Sequence, residues 1–208
     1  NGTEITPEGE KMMRTYKVGS VLNTPGDMAQ SPQDYDRLIE ELNRISLETT
    51  GIPCLYGLDH VHGTSYIAGG VLFPQEINIA ATFNREHAFN MGKVTAYESR
   101  AANVPWTFSP TMDLGRNPEW PRMWESFGED TYVNAELSVA EMKGMQGDDP
   151  NKVGPDNIAA CVKHYLGYGV PVSGQDRTPS SIAASEMREK YFEPFKECLK
   201  AGAFSLMV

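Results

Sequence analysis

Apolar positions along the chain alternate between two patterns, one of helical spacing and one of short continuous runs. Ser31-Pro32-Gln33-Asp34 offers a capping hydroxyl, a proline at the first helical position and an acid in the first turn. Tyr35, Leu38, Leu42 and Ile45 then recur at helical spacing, which predicts a helix to about Thr49, broken by Gly51-Ile52-Pro53. Cys54–Asp59 is a continuous apolar run ending in an acid, the pattern of a buried strand. A loop from His60 to about Glu76 follows. Residues 77–82 are too few to choose between a strand and a helical turn. Asn84 caps a predicted helix reaching about Asn103, and Pro105–Asp113 reads as a strand. Val133, Leu137 and Ala140 place a helix between Asp130 and Gly147. Ile158–Leu166 is a further strand, and residues 167–181 form a loop rich in glycine, proline and serine. A helix from about Ser185 to Ala201 carries Pro194, which is expected to kink it. Val18–Asn23, preceded by a helical patch within residues 1–17, and Gly202–Val208 read as the first and last strands.

Strands that are apolar throughout, alternating with helices, predict a parallel sheet covered by helices. The long polar segments follow strands, after Asp59, Asp113 and Leu166, whereas helix-to-strand connections are mostly short. Loops after strands build the active-site face of a (β/α)8 barrel. Five or six strands are countable, so the expected fold class is α/β, an incomplete (β/α)8 barrel of the TIM type. A doubly wound open sheet is the competing architecture, and no glycine-rich phosphate loop opening a helix supports it. The chain begins at Asn1 and stops within an apolar run, so residues 1–208 are expected to be a fragment of one longer catalytic domain.

The formal net charge of −10 excludes a phosphate-backbone partner, which needs a basic face. No run approaches the roughly 20 apolar residues of a membrane span. Of the three cysteines, Cys54 and Cys161 fall inside apolar strand-like runs, the setting of buried free thiols.

Candidate chemistry collects at three strand ends. Asp59 is either a structural cap or a carboxylate able to accept two sugar hydroxyls, and His60 with His62 forms a pair at metal-ligand spacing. The segment Ser109–Asp130 packs two arginines, five carboxylates, two tryptophans and three prolines into 22 residues, a composition that suits a functional loop held on a rigid scaffold. Within it Arg116 and Arg122 could simply tie the loop to Asp113, Glu125 or Glu129, and Trp120 and Trp124 could be core plugs or stacking platforms. Lys163-His164 ends an apolar strand. A lysine there must find a partner or face a wet cavity, because burying an unpaired ammonium costs several kcal/mol. Arg177 lies in the following loop.

Taken in order, YGLDHVHG (56–63), VLFPQEINIAATFN (71–84), FSPTMDLGRNPEWPRMWESFGED (108–130), ACVKHYLGYG (160–169) and GAFSLMV (202–208) resemble glycoside hydrolase family 3, whose motifs span nearly the whole chain. The resemblance implies a (β/α)8 N-terminal domain of an exo-acting retaining glycosidase, often a β-glucosidase, acting on oligosaccharides or aryl and alkyl glycosides. It implies no cofactor and no catalytic metal, and it makes His62 with Gly63 part of the loop that shapes the pocket. Asp59, Arg122, Lys163 and His164 match the family's sugar-binding groups at the cleaved residue, and Arg177 matches a further family arginine. The family's nucleophile is an aspartate on a later strand, and no aspartate follows Asp176. The nucleophile is therefore expected beyond Val208, with the acid/base later still, so residues 1–208 are expected to supply the sugar-binding groups and to be inactive alone. A periplasmic or secreted location suits such an enzyme. Two rivals stand beside it: a metal-dependent amidohydrolase barrel using the HxH pair, and a carbohydrate-binding barrel without catalysis.

Overall fold

A computed structural model describes residues 3–26 and 28–208. Its centre is one five-stranded sheet of β1 (Ser20–Leu22), β2 (Leu55–Leu58), β3 (Trp106–Thr107), β4 (Ala159–Val162) and β5 (Ser205–Leu206). The strands lie side by side in chain order and every neighbouring pair is parallel. Register runs continuously across the middle, Gly57 opposite Trp106 and Trp106 opposite Ala159. Helices α1 (Pro7–Tyr16), α2 (Pro32–Thr50), α3 (Glu76–Ala80), α4 (Arg85–Ala101), α5 (Thr131–Gln146), α6 (Ala184–Glu186) and α7 (Phe192–Lys200) occupy the intervals. Sequential order without reversal is the arrangement of a (β/α)8 barrel, here incomplete, and not of a doubly wound sheet.

Local chemistry sets the boundaries. The Ser31 hydroxyl accepts from the Asp34 amide at 3.2 Å, and Gly51 closes α2 with φ of 75° while its N–H reaches the Leu47 carbonyl. The undecided run at 77–82 is helical over α3, with the Gln75 carbonyl accepting from Asn78 and Ile79. The expected strand Pro105–Asp113 pairs as a strand only at Trp106–Thr107, because Pro110 has no N–H for a ladder. Beyond it a lone bridge joins Thr111 to Lys163. The expected kink at Pro194 appears as a π-turn over Met187–Tyr191 just ahead of it. Pro194 has no N–H to offer the Lys190 carbonyl, and the widened turn absorbs the mismatch.

Burial falls into three cores. Tyr35, Ile39, Leu42 and Ile45 of α2 pack on Tyr56 and Leu58 of β2. Met142 and Met145 of α5 and Phe195 and Cys198 of α7 pack on Ala160 and Val162 of β4. Met91 of α4 and Leu137 of α5 meet Ile79 and Phe127. Each leucine, isoleucine, valine, methionine or phenylalanine among them is worth about 1.5–3 kcal/mol on burial. All three cysteines are buried and free.

α4 and α5 touch through backbone. A Cβ on Gly92 would stand 2.2 Å from the Glu141 carbonyl oxygen, and one on Gly144 would stand 2.1 Å from that of Phe89. Alanine gains about 1 kcal/mol of helix propensity over glycine, but a clash with backbone cannot be relieved by a rotamer change and overpacking costs about 1–3 kcal/mol or more. Gly92→Ala is therefore expected to lower the melting temperature of the full-length protein, and Gly92→Ala/Gly144→Ala to lower it further. A melting temperature unchanged or raised would mean that the two helices can separate at little cost.

Candidate active site

The segments after β2, β3 and β4 converge on a cavity of about 940 Å³, and Asp59, Arg122, Lys163, His164 and Arg177 all line it. Lys163 continues β4 by one residue. Its N–H reaches the Pro110 carbonyl at 3.1 Å and its carbonyl accepts from Met112 at 2.6 Å. These bonds fix the lysine backbone, and its ammonium bonds Asp59 Oδ1 at 2.6 Å. The side chain of Lys163 is 2% exposed against 35% for Asp59, so the lysine is sealed and the carboxylate forms the open side of the pair. An unpaired ammonium at that depth would cost several kcal/mol. At an effective dielectric of 20 a close counter-charge returns about 4 kcal/mol. Asp59 is the condition for a charged Lys163.

Asp113 does the same for the next residue. One oxygen, Oδ2, lies 2.7 Å from His164 Nδ1 and 3.3 Å from the His164 amide. This fixes the ring and leaves its Nε2 edge for the cavity. Arg122 meets Glu125 in a fork, at 2.7 Å through Nε and 2.6 Å through Nη2, and its Nη1 donates to the Tyr168 hydroxyl at 3.2 Å. The Glu125 fork holds the guanidinium well above its ordinary pKa. The Asp176 carboxylate accepts from both Tyr168 and the Trp120 indole. Burial alone would raise it, but these bonds outweigh burial and keep it below the usual range. Trp120 and His164 each meet Tyr168 edge to face. The Lys163–His164 and Tyr165–Leu166 peptides are cis.

The remaining candidates separate. His60 is buried, with Nδ1 2.8 Å from Ser99 Oγ, and burial pushes its pKa down to about 3. His62 lines the cavity and binds the Phe73 carbonyl at 2.8 Å. The HxH pair therefore points into two environments, and among the described residues no group of three or more His, Cys, Asp or Glu side chains is placed to hold a metal. Arg116 makes an ion pair, as one reading of the sequence expected. Its partner is Glu186 at 2.8 Å, across the chain from its own loop. Arg177 stands on the rim with 84% of its side chain exposed and its nearest acid, Asp176, at 3.8 Å. Trp120 is a core plug, whereas Trp124 is 44% exposed and lines the cavity.

The sequence points to neither Tyr168 nor Asp176, and to Asp113 only as a possible partner of Arg116 or Arg122, whereas in the structure these three orient the others. Asp113 ends a predicted strand just as Asp59 does, and that was the available signal. Sequence reasoning also passed over two fully buried acids, Glu76 of α3 and Glu141 of α5. Glu141 accepts from Ser109 Oγ at 2.9 Å, while both Glu76 oxygens lack a protein partner among the described residues. Burial pushes Glu141 up to about 8. Burial, then proximity to Glu141, raises Glu76 as well. Glu141 sits four residues after Leu137 on the buried side of α5, so an acid on an apolar stripe was the clue.

The sequence profile of the glycosyl hydrolase family 3 N terminal domain matches residues 3–208. A lysosomal beta glucosidase of Dictyostelium discoideum is 37% identical over 208 residues, covering 94% of this chain and 25% of that protein. A periplasmic beta-glucosidase of Salmonella typhimurium is 29% identical over 198 residues, covering 95% of this chain and 24% of its own length. Among solved structures, a beta-glucosidase of intestinal bacteria involved in saponin metabolism superposes with a TM-score of 0.85 at 31% identity, over 95% of this chain and 25% of that one. The chain thus spans about a quarter of the length of the relatives it matches.

The buried acids set a pH dependence. A carboxyl whose folded pKa is raised to about 8, from 4.5, contributes stability that is complete below its unfolded pKa and lost as pH rises through the folded one, at up to about 1.4 kcal/mol per pH unit. The full-length protein is expected to melt at progressively lower temperature between pH 5 and pH 8. Glu141→Gln, which keeps an acceptor for Ser109, is expected to flatten that decline. Parallel curves for the two proteins would place the ionisation elsewhere.

Proposed function

The chain belongs to glycosyl hydrolase family 3, and from that premise we propose that the full-length protein is a retaining, exo-acting glycoside hydrolase. It removes the terminal non-reducing β-D-glucosyl, or a similar, residue from oligosaccharides and from aryl or alkyl glycosides. Residues 1–208 are part of its catalytic domain and supply the grip on that residue. The nucleophile and the acid/base belong to the chain outside this segment.

The observation that carries the reading is charge balance inside the cavity. Lys163 is paired with Asp59 and Arg122 with Glu125, while the His164 ring is held by Asp113. A site for phosphate or carboxylate keeps unmatched cations to meet the anion. Here each lysine and arginine that reaches the floor already has its carboxylate, so the ligand that fits is neutral and densely hydroxylated. A sugar hydroxyl donates and accepts at once, and an ammonium beside a carboxylate answers both needs. Among the described residues, one of the three Lys163 donors is used by protein. Three of the five Arg122 donors are taken, by Glu125 and Tyr168. Asp59 has its second oxygen open to hydroxyls.

In this mechanism Asp59, Lys163, Arg122 and His164 fix the ring at the reacting end, and Arg177 on the rim meets the sugar as it enters. Retaining hydrolysis places two carboxyls about 5–5.5 Å apart across the scissile bond. The grips contribute most to rate where the flattening ring brings its hydroxyls into line with them, since only bonds stronger in the transition state raise turnover. No cofactor or metal takes part. A periplasmic or secreted location suits this reading; the Salmonella relative is named periplasmic and the Dictyostelium relative lysosomal, and no helix of the described residues is long and apolar enough to cross a membrane.

Hydrolysis of a panel of chromogenic aryl glycosides by the full-length protein tests the activity and reads the sugar preference directly. Lys163→Ala removes charge-assisted bonds worth about 1.5–3 kcal/mol each and strands Asp59, so kcat/KM is expected to fall by about 100-fold or more. Near-normal turnover of that variant would take Lys163 out of the site.

A further inference from the structure

Asp59 meets the Lys163 ammonium on the cavity side. Two fully buried acids that the sugar grip does not use, Glu141 of α5 and Glu76 of α3, stand away from the cavity. Glu141 belongs to a polar seam in the core. Ser109, Thr111 and Asp113, at alternate positions after β3, and Asn134, Ser138 and Glu141, on one face of α5, are all buried. Ser109 Oγ donates to Glu141 at 2.9 Å, the Asn134 amide donates to the Asp113 carbonyl at 3.3 Å, and Ser138 donates to Asn134 at 3.3 Å. The same segment fixes the grips. The Pro110 carbonyl accepts from the Lys163 N–H, Met112 donates to the Lys163 carbonyl, and Asp113 holds His164.

These acids are short of donors. Glu141 Oε2, Asp113 Oδ1 and both Glu76 oxygens are buried without a partner among the described residues, and of the seam's hydroxyls only that of Thr111 is also unpartnered. An ionised carboxylate only accepts, whereas a protonated one brings its own donor. Protons on Glu141 and Glu76 correct the imbalance. Charge gives the same answer. Around Glu141 stand Glu76, Lys163 and Cys198 of α7, whose thiol is kept neutral by burial, while α4 meets it at the uncharged Gly92. Around Glu76 stand Glu141, Lys163 and Glu125 of the Met123–Glu125 turn. Lys163 is the cation that bears on both acids, and Asp59 already claims it.

We propose that Glu141 and Glu76 are positioning residues for the sugar grip. Carrying protons, they brace the Ser109–Asp113 segment and leave the Lys163 ammonium to Asp59 and the sugar. Once ionised, they draw that ammonium back and loosen the grip. This rests on the glycoside reading above, and it makes the site sensitive to alkaline pH although its ligand is neutral. Burial pushes Glu141 up to about 8, so the protonated form dominates at pH 6 and only about a tenth of it is left at pH 9. Apparent affinity falls with the fraction of protein still in the competent form.

The test is calorimetric titration of glucose into the full-length protein and into its Glu76→Gln/Glu141→Gln variant at pH 6 and pH 9, at a temperature where both are folded. Wild-type affinity is expected to fall about 10-fold between the two pH values. That of the variant, whose amides supply donors and cannot ionise, is expected to fall less than about 2-fold. An equal fall in both proteins would place the ionisation elsewhere and overturn the proposal while leaving the sugar grip intact. So would a wild-type affinity that is the same at both pH values. If the variant does not fold, wild-type titrations at pH 9 in buffers of different ionisation enthalpy decide: proton uptake with glucose supports the pair, and its absence overturns it. A wild-type protein that binds glucose at neither pH would overturn this proposal and the glycoside reading together.

Discussion

A lysine that is 2% exposed can stay charged only if a carboxylate is brought to it from elsewhere in the chain. Asp59 is 104 positions away in sequence. The structure joins them by laying β2, β3 and β4 side by side, in parallel, so that the ends of β2 and β4 face one cavity across a single short strand. Asp113 holds His164 in the same way, across 51 positions, whereas Glu125 holds Arg122 from three positions away in the same loop. On the proposed reading, charges matched within the protein make the cavity a site for hydroxyls rather than anions, with an affinity that depends little on long-range electrostatics.

Rigidity of the site comes from contacts that never meet a ligand. Arg116 binds Glu186 and the Asn117 amide binds the Pro171 carbonyl, tying the central loop to the segment after β4. Gly169 lets those two segments approach closely, since a Cβ there would lie 2.8 Å from the Leu114 carbonyl oxygen. Glu98 of α4 accepts from Thr64 and from the Val71 amide, holding the loop after β2. Behind the loops, α4 and α5 pack glycine to backbone. The Glu141 side chain of that interface bonds Ser109, next to the Pro110 carbonyl that positions Lys163.

What could be read in advance followed from local chemistry. Ser31, Asn84 and Asp130 announce their helices because a cap acts within three residues. Asp59 and Lys163 stand out because a charge ending an apolar strand needs a reason. The partners of those charges were harder to see. Trp120 meets Asp176 across 56 positions and Arg122 meets Tyr168 across 46, distances over which spacing carries no information. His60 and His62 illustrate the opposite case, since two histidines at ligand spacing fall in the irregular segment after β2, one in a buried contact with Ser99 and the other lining the cavity. The extent of β3 was overestimated because apolar character continues through Phe108 while Pro110 ends the pairing. The expected (β/α)8 order emerged correctly, from the alternation itself and not from any single element.

The central claim is that this cavity takes a neutral polyol because its cations are already matched. The most direct measurement is parallel calorimetric titration of the full-length protein with glucose and with glucose 6-phosphate at low and at moderate salt. The account predicts that glucose binds with an affinity that salt hardly changes and that the phosphate ester binds more weakly. Tighter binding of the phosphate ester, falling steeply as salt is added, would contradict it.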